Sequence, residues 1–387
     1  MRWQRDFMIH LMPLLLTVRG RHNFENLSRY GSFNEATYRV RYEGEFAFEQ
    51  FNEELILSLP DEEHIIAFDP SYLPKSGKYT PGIGYFWSGC ANATKYGLVI
   101  SGLASVGLES RMAMHLYARQ TIGQDQYDSL LDYYASVVVD QTDRLKAVSD
   151  ILVADDYFWR RPFVDAVTQA GFRFISKLPS NAALQYPYLG PKPKRRGRPP
   201  KYQGRIDLLN LDSAHFTLCL QEDNLVAYEG KVYVKALDRL VKCVIVHLTK
   251  KDGTLRAEAY FSTDTNMDGD RVLQCYRLRL QIEFLYRDAK QYTGLTQCQA
   301  RSESKIHTHV NASLTAVSLA KAAHAWPLTG QERKPFSLFG IKTQYFNEHL
   351  LNRFFREAGG RPFGMDTETH INSPQYRSLY NYGCIAA

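Results

Sequence analysis

The sequence predicts a mixed α/β fold in which a sheet is flanked by helices, interrupted by an all-β insertion and preceded by a helical region. Two apolar runs, IIAFD at 65–69 and DILVADD at 150–156, are typical of buried strands that end in aspartate. The segment 270–292 has the periodicity of an amphipathic helix. Because an open α/β sheet exposes functional groups at its strand ends, both aspartates are candidates for chemistry.

Residues 1–60 are predicted to be helical, with basic and aromatic side chains interleaved. Residues 61–178 form the first part of the predicted sheet-and-helix core. Its predicted elements are strand 65–69, a hairpin of strands 85–93 and 96–106, helix 126–148, strand 150–156, helix 160–170 and strand 172–178. We expect Tyr85 and Trp87, on the second strand, to lie in the core rather than to stack on nucleic-acid bases.

Residues 179–268 combine a basic arm with the β-rich insertion. The segment 178–205 is rich in proline and contains seven Lys/Arg and no acidic residue, which predicts a loop or an extended arm. Within it, RRGRPPK at 195–201 looks like an AT-hook core, in which Arg196 and Arg198 would enter a narrow minor groove. The alternative is a solvated linker into the insertion. Five strands are then predicted, at RIDLLNL, HFTLCL, LVAYEGKVYVKAL, KCVIVHLT and AEAYFST.

Residues 269–326 return to helices, and one of them has two distinct faces. In YRLRLQIEFLYRDAK, at 276–290, one stripe is apolar and suited to burial: Leu278, Ile282, Leu285 and Ala289. The opposite stripe carries a carboxylate among cations and a phenol: Tyr276, Arg279, Glu283, Arg287 and Lys290. The simplest interpretation is a solvated face with an Arg279–Glu283 pair one turn apart, which stabilises a helix by only about 0.2–0.5 kcal/mol. Residues 327–387 contain one more predicted helix, at YFNEHLLNRFFREA.

Three carboxylates favour a chemical role for that helix. Asp69 and Asp155 end buried strands and Glu283 lies on the helix, a set of hard oxygen ligands that suits two Mg²⁺ ions in phosphoryl transfer. Tyr276, Arg279 and Lys290 would then position the phosphate. Asp156 directly follows Asp155, and alternation of side chains along a strand allows only one of the two to point inward. We favour Asp155.

The sequence resembles the DDE transposases of the IS-four group of bacterial insertion sequences. Their signature Y-x2-R-x3-E-x6-K is met by Tyr276, Arg279, Glu283 and Lys290, and FDPSYLPKSGK, LVADDYF and FSTDTN look like the same group. The resemblance covers roughly 20–325. It implies an RNase H-like catalytic core whose catalytic and metal-binding residues are Asp69, Asp155 and Glu283.

The resemblance also implies a function and partners. It implies Mg²⁺ as the cofactor (two ions, with Mn²⁺ as a substitute), double-stranded DNA with terminal inverted repeats as the substrate, and a homodimer in the DNA complex. The activity would be cleavage at the repeats and joining of the 3′-hydroxyl ends to target DNA. Residues 1–60 would then bind DNA, and Lys75 and Lys78, on the loop after Asp69, would contact its phosphates. The alternatives are a catalytically silent DNA-binding protein and a nuclease without strand transfer.

Composition argues against several other classes. The six cysteines are dispersed without a CxxC pair, which argues against a zinc site or a disulfide framework. We expect His307, His309 and His324 to be surface or packing residues, because no companion spacing supports a metal site. The apolar run at 7–18 contains His10 and Pro13 and is too short to span a bilayer. A cytoplasmic protein is therefore expected.

Overall fold

A computed structural model describes residues 2–60, 62–188, 190, 201–325, 336–357 and 374–384. Its N-terminal part consists of helices, as the sequence predicts: α1 Arg2–Thr17, α2 Phe24–Tyr30, α3 Glu35–Arg41 and α4 Phe48–Leu57. Two of them begin at asparagines whose side chains accept a hydrogen bond from the helix backbone, Asn23 from the Asn26 amide and Asn34 from the Thr37 amide. Most apolar residues of α1 are buried, whereas Trp3 and Ile9 are exposed, and the helix packs against the C-terminal helices.

The described strands form one mixed sheet. They are β1 His64–Pro74, β2 Gly84–Ser88, β3 Ala93–Gly107, β4 Ala113–Gln120, β5 Ile151–Val153, β6 Arg173–Leu178, β7 Leu184–Pro187, β8 Tyr202–Arg205, β9 Thr217–Glu222, β10 Leu225–Val234, β11 Arg239–Thr249 and β12 Leu255–Ser262. Ten follow the order β2-β3-β1-β5-β6-β12-β11-β10-β7-β8, with β4 paired to β3 and β9 to β10. The pairs β1–β5 and β5–β6 are parallel, and the others are antiparallel. This sheet with helices on both faces confirms the predicted fold class, and it is consistent with an RNase H-like core.

Helices cover both faces of the sheet. They are α5 Leu130–Val139, α6 Thr142–Val148, α7 Arg161–Gln169, α8 Gly269–Leu278, α9 Gln281–Tyr292, α10 Glu303–Ala325, α11 Leu338–Glu357 and α12 Pro374–Tyr380. Along β1, Ile65 and Ala67 join one core and Ile66 and Phe68 join the other. A strand covered on both faces needs a continuous apolar run, which is why 65–68 reads as IIAF.

Several elements differ from the prediction, among them β7 and β8, which lie within the segment 178–205 that was predicted to be a loop or an arm. β4 lies where the sequence predicted no strand, and RIDLLNL forms turns with one isolated bridge instead of a strand. The predicted helix 126–148 is two helices, α5 and α6. The stretch 276–290 is not one helix either, because α8 ends at Leu278 and α9 begins at Gln281.

The β-rich insertion continues the same sheet. β12 pairs with β6 of the core, and β11, β10, β7 and β8 follow outward from it. β7 and β8 bracket the basic arm, whose Arg196 and Arg198 lie outside the described residues. No helix within the described ranges is long and apolar enough to cross a membrane.

The prediction that Tyr85 and Trp87 lie in the core is wrong. Tyr85 is 75% exposed and Trp87 is 62% exposed. The reason is position, because β2 is an edge strand whose pairing with β3 lies beyond the end of β1. Gly84 pairs with Gly97, the same residue that closes the β1–β3 pairing at Pro74. The hairpin therefore extends past the body of the sheet.

Candidate active site

The register of two parallel strands brings Asp69 and Asp155 to the same level of the sheet. Ala67 on β1 pairs with Val153 on β5, and each aspartate lies two residues further along its chain. β1 does not end at Asp69 as predicted: it continues to Pro74 and stays paired with β3, whereas its pairing with β5 stops at Ala67. The two aspartates therefore flank the point where the parallel strands separate, the usual location of sites in open α/β sheets.

The chain after β5 distinguishes Asp155 from Asp156. Asp155 is partly buried and Asp156 is exposed. Strand alternation is not the cause, because β5 ends at Val153; the residues form a turn in which the Asp155 carboxylate accepts a hydrogen bond from the Tyr157 amide at 3.0 Å. The Ser176 hydroxyl donates to the Asp155 carbonyl at 2.6 Å and ties the turn to β6. Burial raises the pKa of Asp155.

A break between α8 and α9 carries Arg279 to the carboxylates. Across it, the Ile282 amide donates to the Arg279 carbonyl and the Glu283 amide to the Leu280 carbonyl, so the turn is tightened to three-residue hydrogen bonds. Glu283 consequently lies in the first turn of α9, where the helix dipole favours a negative charge. Its side chain is 49% exposed.

Arg279 joins two of the three acids. Its Nη1 atom lies 3.2 Å from Oε1 of Glu283 and 3.8 Å from Oδ1 of Asp69, and its side chain is only 12% exposed. Its guanidinium carbon lies 5.8 Å from the ring centroid of Tyr276. Its Nε atom is buried without a hydrogen-bond partner among the described residues. This is more than a solvated pair on one helix, since the guanidinium also reaches a strand about 200 residues away in sequence.

Electrostatics couples the three acids. Burial raises the pKa of Asp69 to about 8; Arg279 opposes the rise, and the carboxylates of Asp155 and Glu283 add to it. Lys290, whose Nζ donates to the Ser71 hydroxyl at 3.0 Å, also opposes it. A further positive charge bound beside Asp69 would favour its ionised form.

The donors suit a hard divalent cation, although they are not drawn together around one position. Asp69, Asp155 and Glu283 supply only carboxylate oxygens, the ligands that Mg²⁺ prefers. Within the described ranges, no three side chains of His, Cys, Asp or Glu are grouped closely enough to hold a metal ion. Arg279, between Asp69 and Glu283, supplies positive charge there instead. The chemistry of the site fits a divalent ion, and binding of that ion would require the three carboxylates to move closer together.

Tyr286 is a site residue that the sequence did not single out. Its buried hydroxyl donates to the Asp69 carbonyl at 2.6 Å, which fixes α9 against β1 next to the acid. Gly102, which pairs with Asp69 on β3, makes this contact possible: a Cβ there would lie 2.0 Å from the Tyr286 hydroxyl oxygen. A glycine inside an apolar strand marks a close approach by another group and could have been the signal.

Lys75, Lys78 and Tyr276, which were also predicted to contact DNA, have different surroundings. The Lys75 ammonium donates to the carbonyls of Cys298 and Ala300, each at 2.6 Å, so it is held by the protein itself. Lys78 is exposed on the loop after β1. The Tyr276 ring packs 4.8 Å from that of Tyr260, and burial raises its pKa to about 12.

The three histidines His307, His309 and His324 pack against neighbouring residues. His309 is buried, and its Nε2 lies 2.8 Å from the Gly294 carbonyl. His307 lies 3.3 Å from the amide nitrogen of Asn311 and packs against Phe48 and Tyr117. His324 stacks edge-on against Phe336.

Residues 133–319 match a family model described as a transposase DDE domain. The match covers just under half of the chain and includes Asp155 and Glu283, whereas Asp69 precedes it. It supports a transposase in general, with the DNA recombination that the term implies, and it does not distinguish the IS-four group. No curated protein matches the chain.

Proposed function

We propose that this chain is a cut-and-paste DNA transposase of the IS-four type, which cleaves the ends of its own element and joins the 3′-hydroxyl ends to target DNA. One observation carries the proposal. The carboxylates of Asp69, Asp155 and Glu283 interact electrostatically with one another and with Arg279, at the edge where β1 and β5 separate. The family match over 133–319 supports the same class. Asp69 is mostly buried and Asp155 is partly buried. Burying acids side by side stabilises a fold less than apolar residues of similar volume would, which favours a functional role.

In the proposed mechanism, Asp69, Asp155 and Glu283 would hold two Mg²⁺ ions. When bound, such ions activate a water or a 3′-hydroxyl and stabilise the leaving oxygen of a phosphodiester. Tyr286 and Gly102 hold the backbone of Asp69 against α9, which limits how far Glu283 can move from it. The family generally uses divalent metal ions, and Mg²⁺ is the ion that we propose, with Mn²⁺ as a substitute.

Arg279, Lys290 and Tyr276 position the DNA phosphate in this proposal. Arg279 is the best placed, since its partly unsatisfied guanidinium can exchange the Glu283 carboxylate for a phosphate oxygen and keep its charge paired. Lys290, next to Ser71 on β1, offers a second charge on the same side as Asp69. Tyr276 limits the movement of the guanidinium, because Arg279 lies over its ring.

The remaining regions are assigned accordingly. We propose that 1–60 bind DNA, that 61–178 and 269–326 form the two parts of the catalytic core, and that 179–268 contribute the basic arm and the insertion. Residues 327–387 receive no role. The active assembly in this proposal is a homodimer on two element ends, without a membrane partner and acting in the cytoplasm on nucleoid DNA.

The test compares acid variants on DNA fragments that carry the sequences flanking the reading frame. Asp69→Asn and Glu283→Gln are expected to abolish strand cleavage in Mg²⁺ while DNA affinity, measured by fluorescence anisotropy, is retained. Asp156→Asn is the matched control, because Asp156 adjoins the site and is exposed. A pre-cleaved end then tests joining of the 3′-hydroxyl. Cleavage by either acid variant at the wild-type rate would refute the assignment. If the wild type cleaves the DNA but does not join the pre-cleaved end, the activity is that of a nuclease without strand transfer.

A further inference from the structure

Ser71 on β1 connects the strand that carries Asp69 to Lys290 on α9. Its hydroxyl oxygen accepts a hydrogen bond from the Lys290 ammonium at 3.0 Å, and the residue is only 8% exposed. Ser71 lies on the same face of β1 as Asp69, between that acid and the core residue Leu73. Burying a hydroxyl costs free energy unless a hydrogen bond compensates it, so the contact with Lys290 accounts for a serine at this position.

Helix α9 and strand β1 advance in step at this contact. The Tyr286 hydroxyl donates to the Asp69 carbonyl, and four residues later on α9 Lys290 donates to Ser71, two residues further along β1. Four residues advance a helix by about 6.0 Å, and two residues advance a strand by about 6.8 Å. Both contacts can therefore form at once without bending either element. The Lys290 ammonium also lies 6.0 Å from the centroid of the Tyr286 ring.

The Ser71 hydroxyl directs the Lys290 charge without neutralising it. A lysine ammonium is a point charge on a flexible four-carbon stem, which without an anchor samples many positions. An uncharged acceptor restricts those positions and leaves the charge in place, and this charge reaches Asp69, because Lys290 opposes the rise in the pKa of that acid. Fixing a side chain with many rotamers before a ligand binds reduces the entropy that is lost on binding.

We propose that Ser71 is a positioning residue, which holds the Lys290 ammonium beside Asp69 in the free protein, where it is ready to meet a DNA phosphate. This role rests on the proposed function, because it needs a DNA phosphate at the carboxylates. Ser71 acts only through Lys290 and does not contact the phosphate itself. Its contribution to the affinity for an element end is expected to be about 2- to 10-fold, the effect of ordering one such side chain in advance.

The test is a double-mutant cycle on an element end, with the dissociation constant measured by fluorescence anisotropy and cleavage measured in Mg²⁺. Ser71→Ala is expected to weaken binding by about 2- to 10-fold and to leave kcat within about twofold, because the phosphate contact is made in the ground state and in the transition state alike. In the Lys290→Ala background, Ser71→Ala should have no further effect. Ser71→Thr keeps the hydroxyl on a side chain that suits a strand, and it should restore the affinity.

Ser101→Ala is the matched control. Ser101 is fully buried on the neighbouring strand β3, where it pairs with Pro70. Its hydroxyl has no hydrogen-bond partner within the part of the chain that the structure describes. Removing this hydroxyl should therefore leave both the affinity and kcat unchanged. Urea unfolding of the two serine variants establishes that each protein is folded under the conditions of the assay.

Two results would overturn the role of Ser71. One is an unchanged affinity in Ser71→Ala; the other is an equal loss with and without the Lys290 side chain, which would mean that Ser71 contacts DNA directly or only supports the fold. In both cases the proposed function survives as long as the wild type cleaves element ends in Mg²⁺. A wild type that neither binds nor cleaves DNA would contradict the proposed function and the role of Ser71 together.

Discussion

Gly102 and Tyr286 provide the sharpest test of how the site is built. Gly102→Ala places a methyl group 2.0 Å from the Tyr286 hydroxyl oxygen, so the ring or helix α9 must shift, at a cost of about 1–3 kcal/mol. Tyr286→Phe removes the buried hydrogen bond to the Asp69 carbonyl and should cost about 1–3 kcal/mol. With that hydroxyl gone, the nearest ring atoms lie at 3.0 and 3.3 Å, which small adjustments accommodate. The two changes should therefore not add.

Urea unfolding of the wild type, both single variants and the double variant measures the coupling. We expect the double variant to be more stable than the sum of the single effects predicts, by about 1 kcal/mol or more. Cleavage should fall by about 10- to 100-fold in Gly102→Ala, because a displacement of about 1 Å between Asp69 and Glu283 suffices for such a loss. Additive free energies, or full activity in Gly102→Ala, would show that the hydroxyl does not occupy the space above Gly102.

Three further predictions concern other parts of the molecule. Asp155→Asn should lower cleavage about 100-fold or more while Asp156→Asn stays within about threefold; equal effects in a gel-based cleavage assay would contradict the assignment. Lys75→Met should lower the free energy of unfolding by about 1–3 kcal/mol, because two carbonyls lose their donor, and should leave DNA affinity nearly unchanged. Burial lowers the pKa of His115 and of His309 from 6.5 to about 4, so the unfolded chain binds more protons between these values; stability is fully present above pH 6.5 and falls as the pH drops towards 4, by about 2 kcal/mol for each histidine at pH 5. A urea midpoint that does not move between pH 7.5 and 5 would refute this.

The sequence predicted correctly the elements in which the apolar residues coincide with the buried positions. The run 65–68 is apolar because both faces of β1 are buried, and Leu278, Ile282, Leu285 and Ala289 are all buried as the helical period required. β4 was missed because its polar residues find partners distant in sequence. The His115 side chain lies 3.0 Å from the side-chain oxygen of Asn311, and Arg119 pairs with Asp140. Such partners cannot be read from a local pattern.

The burial of Tyr85 and Trp87 was mispredicted for a related reason. Alternation identified β2 and β3 as strands, but it could not tell that their pairing extends beyond β1. Residue type alone favours burial of tryptophan and tyrosine, and only the register places Tyr85 and Trp87 outside the sheet. The same limit applies to the region of Asp69, because β1 stops pairing with β5 at Ala67 while the strand itself continues through Asp69 to Pro74.

The break between α8 and α9 decides how the charged stripe is to be interpreted. A continuous helix would place Arg279 and Glu283 as a surface pair worth a few tenths of a kcal/mol. The structure keeps that pair, at 3.2 Å, but also brings the same guanidinium to Asp69 and buries most of it. Asp69 depends on this charge: burial raises its pKa to about 8, and the nearby guanidinium of Arg279 opposes the rise. Arg279 is thus a counter-charge for carboxylates that the fold forces together, and either a divalent ion or a DNA phosphate would compete for one side of that balance.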